Sequence, residues 1–231
     1  HHMLTRVDAA SVAGINGVAW DAVELPSQFL ENWCWEREAL DLFARHHETG
    51  EPIPDDLYKR MVASRNFQAA MQMVRQLEFS LFDLRLHVEH DRAGGERIFA
   101  LLDEVRDQVA VVRPPAFNRF PNSFAHIFAG GYAAGYYSYK WAEVLSADAF
   151  ARFTEEGIFN PVTGRAFLEH ILEKGGSEDA AKLFRDFRGR EPSIEPQRVE
   201  CPLAHPTRLE RSCENRLLEC QFAQRAPAPG P

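Results

Sequence analysis

Apolar residues recur at helical spacing through most of the first 190 positions, and the alternation expected of half-buried strands is scarce. Phe67, Ala70, Met71, Val74, Leu77, Leu81, Leu84 and Val88 make one stripe of a long helix. Ile98, Leu102, Val105, Val109 and Val112 make a second, closed by Arg113-Pro114-Pro115 and joined to the first through Gly94-Gly95. Phe29, Leu30, Trp33, Leu40 and Phe43 predict a helix nearer the N-terminus that starts near Asp21. Pro26 then falls in or close to a first turn, where its missing N–H removes no hydrogen bond. Gly50-Glu51-Pro52-Ile53-Pro54 ends that unit. Asn160-Pro161 reads as the N-cap and first residue of a helix running to Lys174 and stopped by Gly175-Gly176. Ser177 can cap a further helix carrying Ala181, Leu183, Phe184 and Phe187. The pattern predicts an all-α fold, a helical bundle with short connections.

The helical stripe is lost after Pro192. Residues 196–231 hold three of the four cysteines and end in Ala226-Pro227-Ala228-Pro229-Gly230-Pro231, so the expected organisation is a folded portion over 1–195 and a divergent, disordered tail over 196–231.

A chain of 231 residues, 45% hydrophobic and 26% charged, is a globular protein with room for a sizeable core. The formal charge of −8 and pI near 5.6 argue against a nucleic-acid partner held through phosphates and are compatible with peptide substrates. Cys34, Cys201, Cys213 and Cys220 are too few and too unevenly spaced for a disulfide scaffold, and no signal peptide is visible, which together predict a reducing, cytoplasmic setting. Phe120 to Tyr139 is an uncharged run long enough to raise the question of a membrane span. Its proline, histidine, glycines and tyrosines instead predict a buried polar site and no membrane partner.

Two segments carry candidate chemistry. The first, Trp20-Asp21-Ala22-Val23-Glu24-Leu25-Pro26-Ser27-Gln28-Phe29-Leu30-Glu31-Asn32-Trp33, contains Glu24, which taken alone is an acid in a first helical turn, favourable against the helix dipole. The second runs from Phe124 through His126, Gly130, Gly131 and Tyr132 to Tyr139 and holds four of the five tyrosines. A phenol is an uncharged donor suited to a developing oxyanion, but aromatic clusters also serve simply as core packing around a hydrogen-bonded histidine. Elsewhere, His87 and His90 lie three apart near a helix end and are expected to be solvated, and His46-His47 is expected at a helix C-terminus. Cys201, Cys213, Cys220 and His205 lack the close pairs of a structural zinc site. No His-Glu-x-x-His occurs, since His47-Glu48 is followed by Thr49, Gly50 and Glu51.

The two segments resemble those of the thimet oligopeptidase and oligopeptidase A family of zinc metallopeptidases. The resemblance covers residues 1 to about 195 and implies that Glu24 is a metal ligand, the third, and that His126, Tyr132 and Tyr139 are catalytic residues facing substrate or the tetrahedral intermediate. It further implies that Gly130 and Gly131 give a substrate-binding loop its freedom. One residue more separates His126 from Tyr132 than in some family members. The family's other two zinc ligands and its general base lie in a His-Glu-Phe-Gly-His helix, and the family's residues just after that helix resemble His1-His2-Met3-Leu4-Thr5. The chain is therefore expected to begin just after its own metal-binding helix, an expectation to which the lack of an initiating methionine adds. The resemblance thus implies the C-terminal part of a zinc-dependent metalloendopeptidase that hydrolyses short peptides. It implies zinc in the complete enzyme, the missing N-terminal portion as partner, and no activity in this chain alone. The alternative is a non-catalytic helical peptide-binding module that has lost the metal.

Overall fold

The computed structural model describes residues 1–89 and 97–200, and residues 1–200 form one unit. The expected all-α fold is what is found: the described residues contain no strand, only an isolated bridge between Arg45 and Pro52. Among the described residues twelve α-helices succeed one another as α1 Trp20–Val23, α2 Leu25–Glu31, α3 Arg37–Phe43, α4 Asp55–Ser64, α5 Ala69–Glu89, α6 Arg97–Val109, α7 Phe120–Ser123, α8 Ala125–Phe128, α9 Ser138–Glu156, α10 Pro161–Phe167, α11 Ala180–Arg188 and α12 Glu195–Glu200. A 3₁₀ turn, Asn32–Trp35, extends α2, and a wide π-type turn, Leu168–Leu172, extends α10.

The centre is α9. Residues 144–150 are all buried, so this helix has no solvent stripe and is wrapped by α1, α2, α10 and α12. Its Leu145, Phe150 and Phe153 join Leu25 and Phe29 of α2, Phe167 of α10 and Leu183, Phe184 and Phe187 of α11 in one apolar cluster. Phe29, 2% exposed, stacks on Phe167 with ring centroids 4.1 Å apart. A second cluster lies between the antiparallel helices α5 and α6 and takes in Phe124, Ile127 and Tyr136. The Glu78–Arg106 pair inside it is buried, with Arg106 Nε donating to Glu78 Oε1 at 2.9 Å and its Nη2 to Asn118 at 3.2 Å. Burial of both charges is tolerable because each finds partners.

The helix ends follow local chemistry. Asn160 Oδ1 accepts from the N–H groups of Val162 (2.9 Å) and Thr163, with Pro161 at the first position, as expected. Asn160→Ala should lower stability by about 1 kcal/mol, read as a shift in the urea midpoint at unchanged slope; no shift would mean the cap adds nothing beyond the Pro161 backbone. Gly175-Gly176 does more than stop the helix. The segment 12–17 crosses there, Gly176 N–H donating to Val12 O at 2.9 Å, and a Cβ on either glycine would lie under 3 Å from that backbone.

Several expectations are corrected. The apolar stripe assigned to the long helix is not its buried face: Phe67 is 75% exposed and precedes the helix, Val88 is 83% exposed, and Phe79, Phe82 and Leu86 point inward beside Glu78 and Asp83. The cap of α11 is Asp179, which accepts from Lys182 N–H at 2.8 Å, while the Ser177 hydroxyl donates back to Lys174 O. The helix expected from Asp21 through Phe43 is three helices, broken at Glu24 and again at the extended Glu36, with Pro26 in the first turn of the second. His46-His47 lies past the end of α3 in a turn, where His46 Nδ1 accepts from Glu48 and Thr49 N–H at 3.3 Å. His87 is not simply solvated: its Nδ1 lies 3.0 Å from Asp83 Oδ1. Helix α12 spans the expected boundary at 195 and packs on α9, where Gln197 Nε2 donates to Glu143 at 3.4 Å. His90, Gly94-Gly95 and residues 201–231, with Cys201, His205, Cys213 and Cys220, lie outside the described residues.

Candidate functional site

Glu24 occupies the joint between α1 and α2, with φ −91° and ψ 0°. Helix α2 cannot continue backward because Pro26 offers no N–H, and the bend turns the Glu24 side chain away from the buried Leu25 and Phe29. Ser27 fixes it, its hydroxyl donating to Glu24 Oε2 at 2.8 Å. The rest of the segment is the anchor. Asn32 Nδ2 donates to Ser146 Oγ (3.1 Å) and Phe29 O (2.9 Å), and Trp33 Nε1 to Ile158 O (3.0 Å).

The uncharged run Phe120–Tyr139 breaks into the short helices α7 and α8, a tight loop and the first residues of α9; no described helix is long and apolar enough to cross a membrane. At the end of α8, the N–H groups of Ala129 and Gly130 both reach Ala125 O at 2.8 Å, and Tyr132 N–H reaches His126 O at 3.0 Å. A Cβ on Gly130 would sit 3.0 Å from the Cα and O of His126, tighter than side chains ordinarily pack, and Gly131 has φ +84°, a left-handed conformation that favours glycine. Beyond them Ala134 adopts φ +55°, a left-handed conformation costing a non-glycine residue roughly 1–2 kcal/mol. It is held there by its N–H bond to Asp83 Oδ1 (2.9 Å), while Tyr136 N–H donates to Asp83 Oδ2 (2.9 Å).

This loop brings the two candidate segments together. The Tyr132 hydroxyl donates to Glu24 Oε1 across 108 positions of sequence. The Tyr132 ring lies against Trp20 (4.7 Å) and stacks on Tyr139 at 5.0 Å and 21°. His126 is exposed and stands edge-on to Tyr132, Tyr136 and Tyr139 at 6.1, 5.6 and 6.0 Å. Tyr136 is buried, its hydroxyl donating to Gln76 Oε1 at 3.0 Å, so it has the packing role. Burial, then the bond to Glu24, raises the Tyr132 phenol well above its ordinary value. Burial raises Tyr139 too, opposed by the neighbouring Tyr132 hydroxyl and reinforced by the charge of Glu24 and a hydrogen bond to it. Both phenols stay protonated at neutral pH and can donate to an oxygen anion.

Every residue singled out from sequence, Glu24, His126, Gly130, Gly131, Tyr132 and Tyr139, thus falls on one patch. Sequence reasoning missed Asp83, Ser27, Trp20 and Gln76. An acid between Phe82 and Leu86 on an inward face was the available sign of Asp83. As to the implied zinc, the described residues contain no group of three His, Cys, Asp or Glu placed to hold a metal. Glu24 offers one carboxylate, so these residues do not by themselves fit a catalytic zinc site.

The profile of Peptidase family M3 matches residues 1–201. Oligopeptidase A of Salmonella typhimurium is 60% identical over 195 residues, 84% of this chain and 29% of the relative. Probable cytosolic oligopeptidase A of Arabidopsis thaliana is 50% identical over 199 residues, 84% of this chain and 28% of the relative. Dipeptidyl carboxypeptidase of Escherichia coli is 36% identical over 201 residues, 85% of this chain and 29% of the relative. The chain spans less than a third of the length of these curated relatives. With a family match that runs from the first residue through the Glu24 joint, the tyrosine loop and α12, the chain belongs to peptidase family M3.

Proposed function

We propose that this chain is the C-terminal part of a zinc-dependent oligopeptidase that hydrolyses short peptides, and that it supplies one metal ligand and the peptide-facing wall of the site. The observation that supports this most is the hydrogen bond from Tyr132 to Glu24, which joins two distant motifs into one constellation of carboxylate, phenols and histidine. On this reading Glu24 would hold zinc through its carboxylate, and the metal would supply an activated water. The remaining ligands and the general base come from the part of the relatives' length that this chain does not span. Tyr139 donates to the oxygen that becomes negative when the peptide carbonyl is attacked, and Tyr132, whose single O–H is held by Glu24, joins it only by turning from that carboxylate. His126 lines the same wall, and Gly130-Gly131 lets the loop adjust to peptide. A cytoplasmic setting belongs to this reading, supported by the name of the plant relative and by the cysteine usage.

Equilibrium dialysis against zinc and a quenched fluorescent peptide assay test the division of labour. The 231-residue chain should hold zinc weakly and leave the peptide intact, since a catalytic site needs three protein ligands and a base. The full-length gene product should cleave the peptide and lose that activity to a chelator. Stoichiometric zinc with cleavage by the 231-residue chain would overturn the assignment of ligands. A full-length product that binds the peptide without cleaving it would favour the binding module.

A further inference from the structure

We propose that Asp83 is the positioning residue of the tyrosine loop: its buried carboxylate fixes the half of the loop that follows Tyr132 and so aims the Tyr132 hydroxyl at Glu24. Asp83 is fully buried on α5, far from Glu24 in sequence. Its two oxygens divide their work. Oδ1 takes the Ala134 N–H at 2.9 Å and Oδ2 the Tyr136 N–H at 2.9 Å, so the carboxylate spans the last turn before α9 like a two-pronged clamp. His87, one turn along α5, stands beside the carboxylate, its Nδ1 2.8 Å from Asp83 O and 3.0 Å from Oδ1.

A carboxylate with no access to water is tolerated only while its donors stay in place. The loop therefore cannot drift at Ala134–Tyr136 without stranding a buried charge, which is why Ala134 keeps a left-handed φ of +55° that a free chain would abandon. The other half of the loop has no such tie. Gly130 and Gly131 are exposed, and the backbone ties there run to α8, from Gly130 N–H to Ala125 O and from Tyr132 N–H to His126 O. Tyr132 sits at the boundary between a clamped half and an adaptable one, its ring stacked on Tyr139, which opens α9 just beyond the clamp. Adaptation to peptide at the glycines then leaves the hydroxyl direction unchanged. The functional consequence, though not the clamp itself, rests on the peptidase reading.

Asp83→Asn keeps the shape and one acceptor but faces the second amide with an NH₂ group. In the 231-residue chain, amide exchange at Ala134 and Tyr136 should rise at least about tenfold, the scale of losing one local hydrogen bond, with α6 and α11 amides within about twofold. Asp148→Asn, an equally buried acid outside the loop, is the control and should not single out those two amides. Uniform acceleration, or unchanged protection at Ala134 and Tyr136, overturns the clamp. Asp83→Glu, which keeps the charge, should retain more protection than Asn; the reverse order also overturns it.

In the full-length gene product, Asp83→Asn should lower kcat roughly tenfold to a hundredfold, with KM within about twofold, the scale of a misplaced catalytic group. The same substitution in a Tyr132→Phe background should add little, since both act through one hydroxyl. An equal further loss there would show that Asp83 does not act through Tyr132. If the unsubstituted product cleaves no peptide, the peptidase reading fails, and the exchange measurement still decides the clamp.

Discussion

Asp148→Ala should lower the stability of the folded unit by about 3–5 kcal/mol, the range for removing one partner from a buried ionic cluster. Asp148 lies in the fully buried middle of α9. It accepts from Arg188 Nε at 3.1 Å, from both terminal nitrogens of Arg190 at 2.8 and 2.5 Å, and from Ser193 N–H at 2.7 Å. Without it the segment after α11 loses its tie to the central helix. Arg190, 41% exposed, can turn to water, but Arg188, 10% exposed, cannot readily do so. Burial works against the Arg188 charge, yet Glu155 and Asp148 outweigh it and raise its pKa above the usual arginine value. Glu155, on Nη2 at 2.8 Å, survives the substitution and caps the loss. For a unit of this size the melting temperature should fall by roughly 6–20 °C, at about 2–4 °C per kcal/mol. Thermal unfolding followed by circular dichroism measures it. A loss below about 1 kcal/mol would mean that the packing of Phe184 and Phe187 holds this segment without the acid.

The parts of the fold legible in sequence were those decided by local chemistry. Asn160-Pro161 caps a helix wherever it sits, because the cap is made within three residues. Val105 and Leu102 face inward as their spacing predicts. The face of α5 was not legible in the same way, since its sequence offers apolar residues on more than one side and the choice falls to what packs against it: Phe120 and Phe124 against Phe79, and Arg106 against Glu78. The same holds for Ser177 and Asp179, two acceptable caps two residues apart, between which the turn after Gly175-Gly176 decides. At the site, the motif around Glu24 and the tyrosines could be quoted from sequence, but not their meeting, because a bond across 108 positions leaves no local trace. Gln76 and Asp83 were missed for that reason: each is an ordinary polar residue until the loop arrives.

Tyr139→Phe in the full-length gene product should reduce kcat by roughly tenfold to a thousandfold while zinc content stays unchanged, the scale of losing one donor to a developing oxyanion. The substitution keeps the ring stacked on Tyr132 and the edge contact with His126, so packing survives and only the hydroxyl is lost. Tyr132→Phe should act more strongly on the metal, because the Tyr132 bond to Glu24 is the stronger of the two that the phenols make. Its hydroxyl is committed to Glu24 in this structure and is held protonated by burial and by that bond. Removing it should weaken metal retention about tenfold or more, as loss of an outer partner to a ligand does, and lower turnover as well. Glu24→Gln goes further along the same axis, because a neutral amide is a poorer zinc ligand than a carboxylate, and Ser27 remains to orient whatever stands there. Metal content and kcat measured on the three variants separate a donor to substrate from a support of the ligand. Should Tyr139→Phe retain full turnover, the phenols are packing groups and the catalytic reading of the loop is wrong. Should Tyr132→Phe and Glu24→Gln both keep zinc as tightly as the unsubstituted protein, the metal is bound elsewhere and the bond between them is structural.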